Sequence, residues 1–155
     1  MKIKLIKFRD DLIKPTRAHY NDAGIDCYAQ EDIILKPLSS NDLFLNFGIT
    51  LEPKLKAIPT LIPLGFGLEI PDGYMATIRP RSSMNLKGVL SQIGTIDSGY
   101  RGEIKAVLIN LTDTDIEIKK GEKICQIVIE PVILADFVED LTNDRGEGGF
   151  GSTGK

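Results

Sequence analysis

Two segments in the middle of the chain concentrate residue types that can do chemistry. Residues 79–84 place arginines beside two hydroxyls, Ser82 and Ser83, where a short helix could begin. Guanidinium groups, hydroxyls and the free amides of a helix start all bind phosphate oxygens, so this segment is a candidate phosphate cradle. Residues 94–103 place Asp97 before a tight turn and Tyr100 after it. The same pattern also suits a structural turn, in which Asp97 caps the turn and Tyr100 anchors a strand.

A third unusual segment runs from Arg145 to Lys155, where five of eleven residues are glycine. Glycines let backbone amides converge on an anion, and Arg145, Ser152 and Thr153 add hydrogen-bond donors. Phe150 has no apolar neighbours in this polar segment, so it could cover the flat face of a ligand. A flexible tail without a ligand is the alternative interpretation.

The residue types that are scarce limit the chemistry further. The chain has one histidine, His19, two cysteines, Cys27 and Cys125, and no tryptophan. A zinc site of clustered cysteine and histidine is therefore excluded within one chain, and a histidine-activated nucleophile would depend on His19 alone. Carboxylates, arginines, hydroxyls, backbone groups or a hard metal ion must do any chemistry.

Charge and hydropathy exclude several classes of partner. The net charge of −3 argues against a general nucleic-acid binder, which usually carries a basic excess. The apolar runs are too short for a transmembrane helix, and the first residues lack the apolar stretch of a signal peptide. We therefore expect a cytoplasmic protein with no membrane contact, in which both cysteines are reduced and partly buried.

Short apolar segments separated by glycine and proline turns must position these groups. Isoleucines alternate with charged residues at 115–119, as in a half-buried strand. Residues 81–87 predict one short helix, with Ser82 or Ser83 as the N-cap. The pattern indicates an all-β sandwich, jelly roll or barrel. Strands are predicted at residues 2–8, 32–36, 43–51, 61–70, 74–79, 103–110, 115–119, 123–130 and 132–138.

Five segments, in order along the chain, resemble the five motifs of the trimeric deoxyuridine triphosphate nucleotidohydrolases (dUTPases). They are residues 22–29 (DAGIDCYA), 80–84 (PRSSM), 94–103 (GTIDSGYRGE), 121–126 (GEKICQ) and 145–154 (RGEGGFGSTG). The resemblance implies a distorted jelly-roll β-barrel at residues 1–144, assembled as a homotrimer. Residues 145–155 would form a glycine-rich lid over a neighbouring subunit's site. The implied reaction cleaves dUTP to dUMP and pyrophosphate with Mg²⁺, which keeps uracil out of DNA and supplies dUMP for dTMP synthesis.

The resemblance also implies roles for the residues around the reacting phosphorus. Asp97 resembles the base that activates a water molecule to attack the α-phosphorus. Tyr100 resembles the residue that packs under deoxyribose and excludes a 2′-hydroxyl, while the backbone from Tyr100 to Ala106 would read the uracil edge. Asp26 resembles an acidic residue that acts on the metal ion and the catalytic water through solvent.

The remaining roles concern the triphosphate and the base. Phosphate contacts are implied for residues 81, 82 and 126 of the second and fourth motifs, with Ser83 beside them in the same cradle. The C-terminal segment would clamp the γ-phosphate and stack an aromatic ring on uracil. The implied ligand-binding residues are Arg81, Ser82, Ser83, Gln126, Arg145, Phe150, Gly151, Ser152 and Thr153.

The chain departs from the family pattern in three places. Gly99 stands where the family usually has a second aspartate, and Ser91 stands where it has an asparagine that helps to hold the nucleoside. Residues 43–60 look like an insertion, which could be an extra hairpin, an element at the trimer rim or the binding surface for a protein partner.

Two alternatives keep the fold and change the function. The dCTP deaminases share this fold and often carry glycine at the position of Gly99. Their catalytic glutamate would fall at Val107, and no other acid on that predicted strand matches it. The second alternative is a nucleotide-sensing module that binds a protein partner through residues 43–60.

Overall fold

The structure is a computed structural model, and it describes residues 1–37, 39–40 and 55–138. The strand predicted at 43–51, most of the insertion at 43–60 and the whole segment 145–155 lie outside these residues. One helix, α1 (Ser82–Leu86), and thirteen strands occur in the described part of the chain. The strands are β1 (Lys4–Lys7), β2 (Ile25–Tyr28), β3 (Ile33–Leu35), β4 (Ser39–Ser40), β5 (Leu55–Lys56), β6 (Thr60–Pro63), β7 (Phe66–Glu69), β8 (Tyr74–Arg79), β9 (Val89–Ser91), β10 (Gly94–Ile96), β11 (Lys105–Asn110), β12 (Ile116–Ile118) and β13 (Lys123–Pro131).

All strand pairs in this part of the structure are antiparallel. The largest sheet has the order β10-β8-β13-β2, and a three-stranded sheet has the order β6-β11-β9. Three two-stranded sheets pair β1 with β7, β12 with β3 and β4 with β5. The all-β prediction is therefore confirmed, although the described strands do not close into one continuous barrel.

The core lies between the sheets, and strand alternation explains which residues reach it. In β11, Ala106, Leu108 and Asn110 are buried while the residues between them face outward, as a period of two requires. In β13 the register shifts between Lys123 and Cys125, so that Ile124 and Cys125 are both buried. No helix in the described ranges is long and apolar enough to cross a membrane.

The run at 61–70, predicted as one strand, is two strands. Gly65 separates β6 from β7 and has a φ of +78°, a left-handed conformation that glycine adopts without strain. The turn sends the two halves to different partners, because β6 pairs with β11 and β7 pairs with β1.

The strand predicted at 132–138 and the N-cap predicted for the helix at 81–87 are both wrong. Residues 132–138 form no strand, and Ile133, Leu134, Phe137 and Val138 are 80% to 98% exposed, so their apolar composition imitates a strand without one. The predicted helix at 81–87 is confirmed, but neither serine caps it. Arg81 is the N-cap residue and makes no side-chain cap hydrogen bond.

Candidate active site

The first of two clefts lies where β8 and β10 meet the turn that follows β10. Its volume is about 260 Å³. Asp97 is exposed at the end of β10, directly after the buried Ile96, and Tyr100 and Glu103 follow on the turn. We call it the Asp97 cleft; its lining residues are Ile78, Gly94, Thr95, Ile96, Asp97, Tyr100, Glu103, Ile104 and Lys105.

Hydrogen bonds within the turn fix the relation between Asp97 and Tyr100. The Tyr100 amide donates to the Asp97 carbonyl oxygen at 3.1 Å. The Tyr100 hydroxyl donates to the Glu103 carbonyl oxygen at 2.9 Å. Arg101 Nη1 donates to the carbonyl oxygens of Ser98 and Tyr100 at 2.5 Å and 3.0 Å. The turn therefore presents a carboxylate and an aromatic ring at the same opening.

The second cleft, the Arg81 cleft, lies where β2 and β13 meet the start of α1. Asp26 on β2 is 8% exposed and pairs in register with Gln126 on β13, so both belong to one wall of the cleft. The lining residues are Ala18, Asp22, Ala23, Gly24, Asp26, Arg81, Ser82 and Gln126. The Gln126 side chain packs closely against Gly24, so a Cβ there would require the Gln126 amide to move.

Two cations share the Asp26 carboxylate. Arg81 Nε lies 3.2 Å from Oδ1, and Lys123 Nζ lies 2.8 Å from Oδ2. Arg81 uses its Nε for this pair and a long contact of 3.5 Å from Nη1 to the Lys123 carbonyl oxygen. Asp26 therefore orients the Arg81 guanidinium group through Nε. The other N–H groups of the guanidinium can still bind an anion such as phosphate.

The two clefts share none of their lining residues. The structure places Asp97 and Tyr100 in one cleft, and Asp26, Arg81, Ser82 and Gln126 in the other. Ser83 is exposed on α1 and lines neither cleft. The candidate site on one described chain therefore consists of two separate halves.

Ser91 also lines neither cleft. It is 2% exposed on β9 opposite Leu108, and its Oγ has no hydrogen-bond partner in the described part of the chain. Arg145, Phe150, Gly151, Ser152 and Thr153 fall beyond the described residues. Sequence reasoning missed Lys123 and the cleft position of Glu103. The signal for Lys123 was its place inside the fourth motif.

The side chains near the two clefts show whether this chain could hold the expected Mg²⁺. The described residues contain no cluster of three or more histidine, cysteine, aspartate or glutamate side chains able to hold a metal ion. Asp26, the expected carboxylate, already has two cationic partners. Mg²⁺ binds readily through phosphate oxygens and water with few protein ligands, so these residues fit an ion that arrives with a polyphosphate.

Cys27 and Cys125 lie directly opposite each other across β2 and β13, and both are free thiols. Their exposures are 1% and 0%, so they are fully rather than partly buried. Hydrogen bonding to Cys125 and then burial raise the pKa of the Cys27 thiol well above its ordinary value. A thiol that solvent and substrate cannot reach is a poor nucleophile, so neither cysteine is a candidate for catalysis.

Fold and site together define an all-β protein with one cleft that presents Asp97 and Tyr100 and another that presents Asp26 and Arg81. The dUTPase family model matches residues 42–154. The chain belongs to the dUTPase family.

Individual relatives match over the whole length. A deoxyuridine 5'-triphosphate nucleotidohydrolase of Nautilia profundicola is 42% identical, with all of both chains covered. The corresponding protein of Hydrogenobaculum sp. is 40% identical, with 99% of both covered.

The solved structures support the same fold. A mutant dUTPase of Staphylococcus bacteriophage 80alpha with dUpNHpp has a TM-score of 0.77 at 24% identity, with 99% of both chains covered. A mutant dUTPase from phage phi11 of S. aureus, described as showing the coordination of a structural Mg(II) ion, has a TM-score of 0.72 at 21% identity. It covers 92% of this chain and all of its own. The expected jelly-roll fold is thereby confirmed.

Proposed function

We propose that this protein hydrolyses dUTP to dUMP and pyrophosphate. Family membership and the names of the relatives support the substrate. The observation that carries the mechanism is the exposed carboxylate of Asp97 beside Tyr100 at the opening of a nucleoside-sized cleft. A phosphoanhydride is cleaved by positioning and charge stabilisation, so no histidine or protein nucleophile is needed.

In the proposed step Asp97 accepts a proton from a water molecule. The water oxygen forms a bond to the α-phosphorus, and the bond from this phosphorus to the oxygen bridging to the β-phosphorus breaks. Pyrophosphate leaves with that bridging oxygen and its electron pair. Tyr100 packs under the deoxyribose, where an additional 2′-hydroxyl would clash with the ring.

The Arg81 cleft would hold the phosphates. Arg81, fixed by Asp26, and Ser82 and Gln126 at the same opening supply donors to phosphate oxygens. Mg²⁺ would supply neutralisation of phosphate charge when bound, with Asp26 acting on it through water. Arg145, Ser152 and Thr153 would bind the γ-phosphate, and Phe150, next to Gly151, would stack on uracil.

A homotrimer would unite the two halves of the site. Because the Asp97 and Arg81 clefts share no lining residue, a triphosphate nucleotide can bridge them if another copy presents its Arg81 cleft. The exposed apolar side chains at 133–138 give a reason for assembly, because a soluble chain rarely leaves such a group in water.

The panel that tests this function compares pyrophosphate release from dUTP, dTTP, dCTP and UTP. We expect the other nucleotides to be at least about a hundredfold poorer than dUTP in kcat/KM. Equal turnover of UTP would contradict the assignment. Ammonia release from dCTP would instead support the deaminase alternative, although β11 carries Val107 at the relevant position and no acid.

A further inference from the structure

Glu103 ties the turn that carries Asp97 and Tyr100 to a different part of the fold. Its Oε1 accepts a hydrogen bond from the backbone amide of Gly65 at 2.9 Å. Glu103 is half-buried and lines the Asp97 cleft. Gly65 lies in the turn between β6 and β7. This turn carries no residue with a role in the proposed reaction.

The Gly65 end of this contact is fixed. Gly65 lies between Leu64 and Phe66, which are 0% and 1% exposed. Its carbonyl oxygen accepts a hydrogen bond from the Phe8 amide at 2.9 Å. A side chain there would be strained, because φ is +78° and a Cβ would lie 2.7 Å from Arg9 Cδ. The buried Gly65 amide needs an acceptor, and Glu103 provides it.

The Glu103 end leads directly to the proposed nucleoside contact. The Tyr100 hydroxyl donates to the Glu103 carbonyl oxygen, so one residue accepts from Gly65 through its side chain and from Tyr100 through its backbone. Ile104, the next residue, exchanges backbone hydrogen bonds of 2.9 Å with Leu64 and Phe66. Arg101, in contrast, bonds only to carbonyls of its own turn among its described contacts.

We propose that Glu103 is a positioning residue. It holds the Tyr100 ring at a fixed position in the Asp97 cleft, and this position lets the enzyme discriminate deoxyribose from ribose. The inference rests on the proposed function, in which Tyr100 packs under the sugar. Loss of the Gly65 contact removes one of the three hydrogen bonds that hold residues 103 and 104 to residues 64–66, so the Glu103 carbonyl that Tyr100 binds is held less tightly and the ring yields to a 2′-hydroxyl. The effect acts on substrate selection, because Asp97 keeps its own attachment to β10.

The test compares Glu103→Ala with Glu103→Gln, whose amide oxygen can still accept the Gly65 amide. We expect Glu103→Ala to lower the ratio of kcat/KM for dUTP over UTP about tenfold, mainly through a higher kcat/KM for UTP, because the displaced ring no longer excludes the 2′-hydroxyl. Glu103→Gln should keep the ratio within about threefold. Glu31→Ala, at an exposed position outside both clefts, is the matched control and should leave the ratio unchanged.

A second variant keeps the inference testable if Glu103→Ala folds poorly. Tyr100→Phe removes the hydroxyl that donates to Glu103 and should lower the same ratio without a large change in Tm. Unchanged selectivity in both Glu103→Ala and Tyr100→Phe would overturn the inference, and so would equal damage in Glu103→Gln and Glu103→Ala. A wild-type protein that releases no pyrophosphate from dUTP would instead refute the proposed function.

Discussion

Asp26 Oδ1 and Arg81 Nε lie 3.2 Å apart, and this pair orients the arginine of the proposed phosphate cleft. The Asp26 side chain is 11% exposed and also contacts Lys123, so its neutralisation leaves the Arg81 and Lys123 cations without their shared carboxylate.

Asp26→Asn should therefore destabilise the protein by about 2 kcal/mol, less than a fully buried pair would cost because Lys123 can turn toward solvent. The measurement is the urea midpoint of unfolding at pH 7. Lys123→Gln, which keeps the Asp26–Arg81 contact, is the control and should lower the free energy of unfolding by less. An unchanged midpoint in Asp26→Asn would show that the pair contributes nothing to stability.

Asp97→Asn should reduce pyrophosphate release by several orders of magnitude and keep nucleotide binding, because the amide cannot accept the proton from water. Isothermal titration with a non-hydrolysable dUTP analogue measures the binding. Ser98→Ala, next in the same turn, controls for changes in the turn itself. Retained turnover would exclude Asp97 as the base, whereas binding without turnover separates the enzyme from a nucleotide-sensing module.

Truncation after Asp144 should leave a folded protein whose kcat is lowered by several orders of magnitude, because the proposed clamp on the γ-phosphate is missing. Mixed assemblies of this truncated chain with Asp97→Asn chains should regain part of the activity if one site uses residues of different copies. No recovery in verified mixed assemblies, or full activity of the truncated chain, would contradict the shared site.

Acid should destabilise the fold through the turn between β12 and β13. The Lys119 amide donates to Glu122 Oε1 at 2.9 Å, and this bond, with a contact from Lys87, lowers the pKa of Glu122 below its ordinary 4.5. The Lys120 amide and then Lys119 lower the pKa of Asp32 below 3.8 in the same way.

A carboxylate with a lowered folded-state pKa stabilises the fold above its unfolded pKa, and the contribution disappears as the pH falls through the folded value. We expect Tm to be level between about pH 8 and pH 5 and to fall below about pH 4. Glu122→Gln should lower Tm at pH 7, and its difference from the wild type should shrink as the pH decreases. A constant difference at every pH would exclude this ionisation as the cause.

The sequence predicted the fold class, and it predicted Asp97 and Tyr100, which the structure places in one cleft, because both depend on local pattern. The turn at 94–103 carries its own signal in an aspartate, glycines and a tyrosine. Lys123 was not predicted as a partner of Asp26, because the register of β2 on β13 brings them together and no local pattern encodes it. The prediction of a strand at 132–138 was wrong for a related reason. Apolar composition indicates that a segment favours burial, but it does not identify the surface that buries it.

In the proposed site, which joins clefts from two copies, activity depends on the assembly of several chains and not on one chain alone. When the protein is diluted, turnover should fall faster than the amount of folded protein, because dissociation into single chains would separate the two clefts of each proposed shared site before any chain unfolds. For the same reason, a chain with an intact fold and one damaged cleft would disable sites that its sound neighbours help to build. Such a chain would act as a dominant inhibitor in a cell that also makes the normal protein.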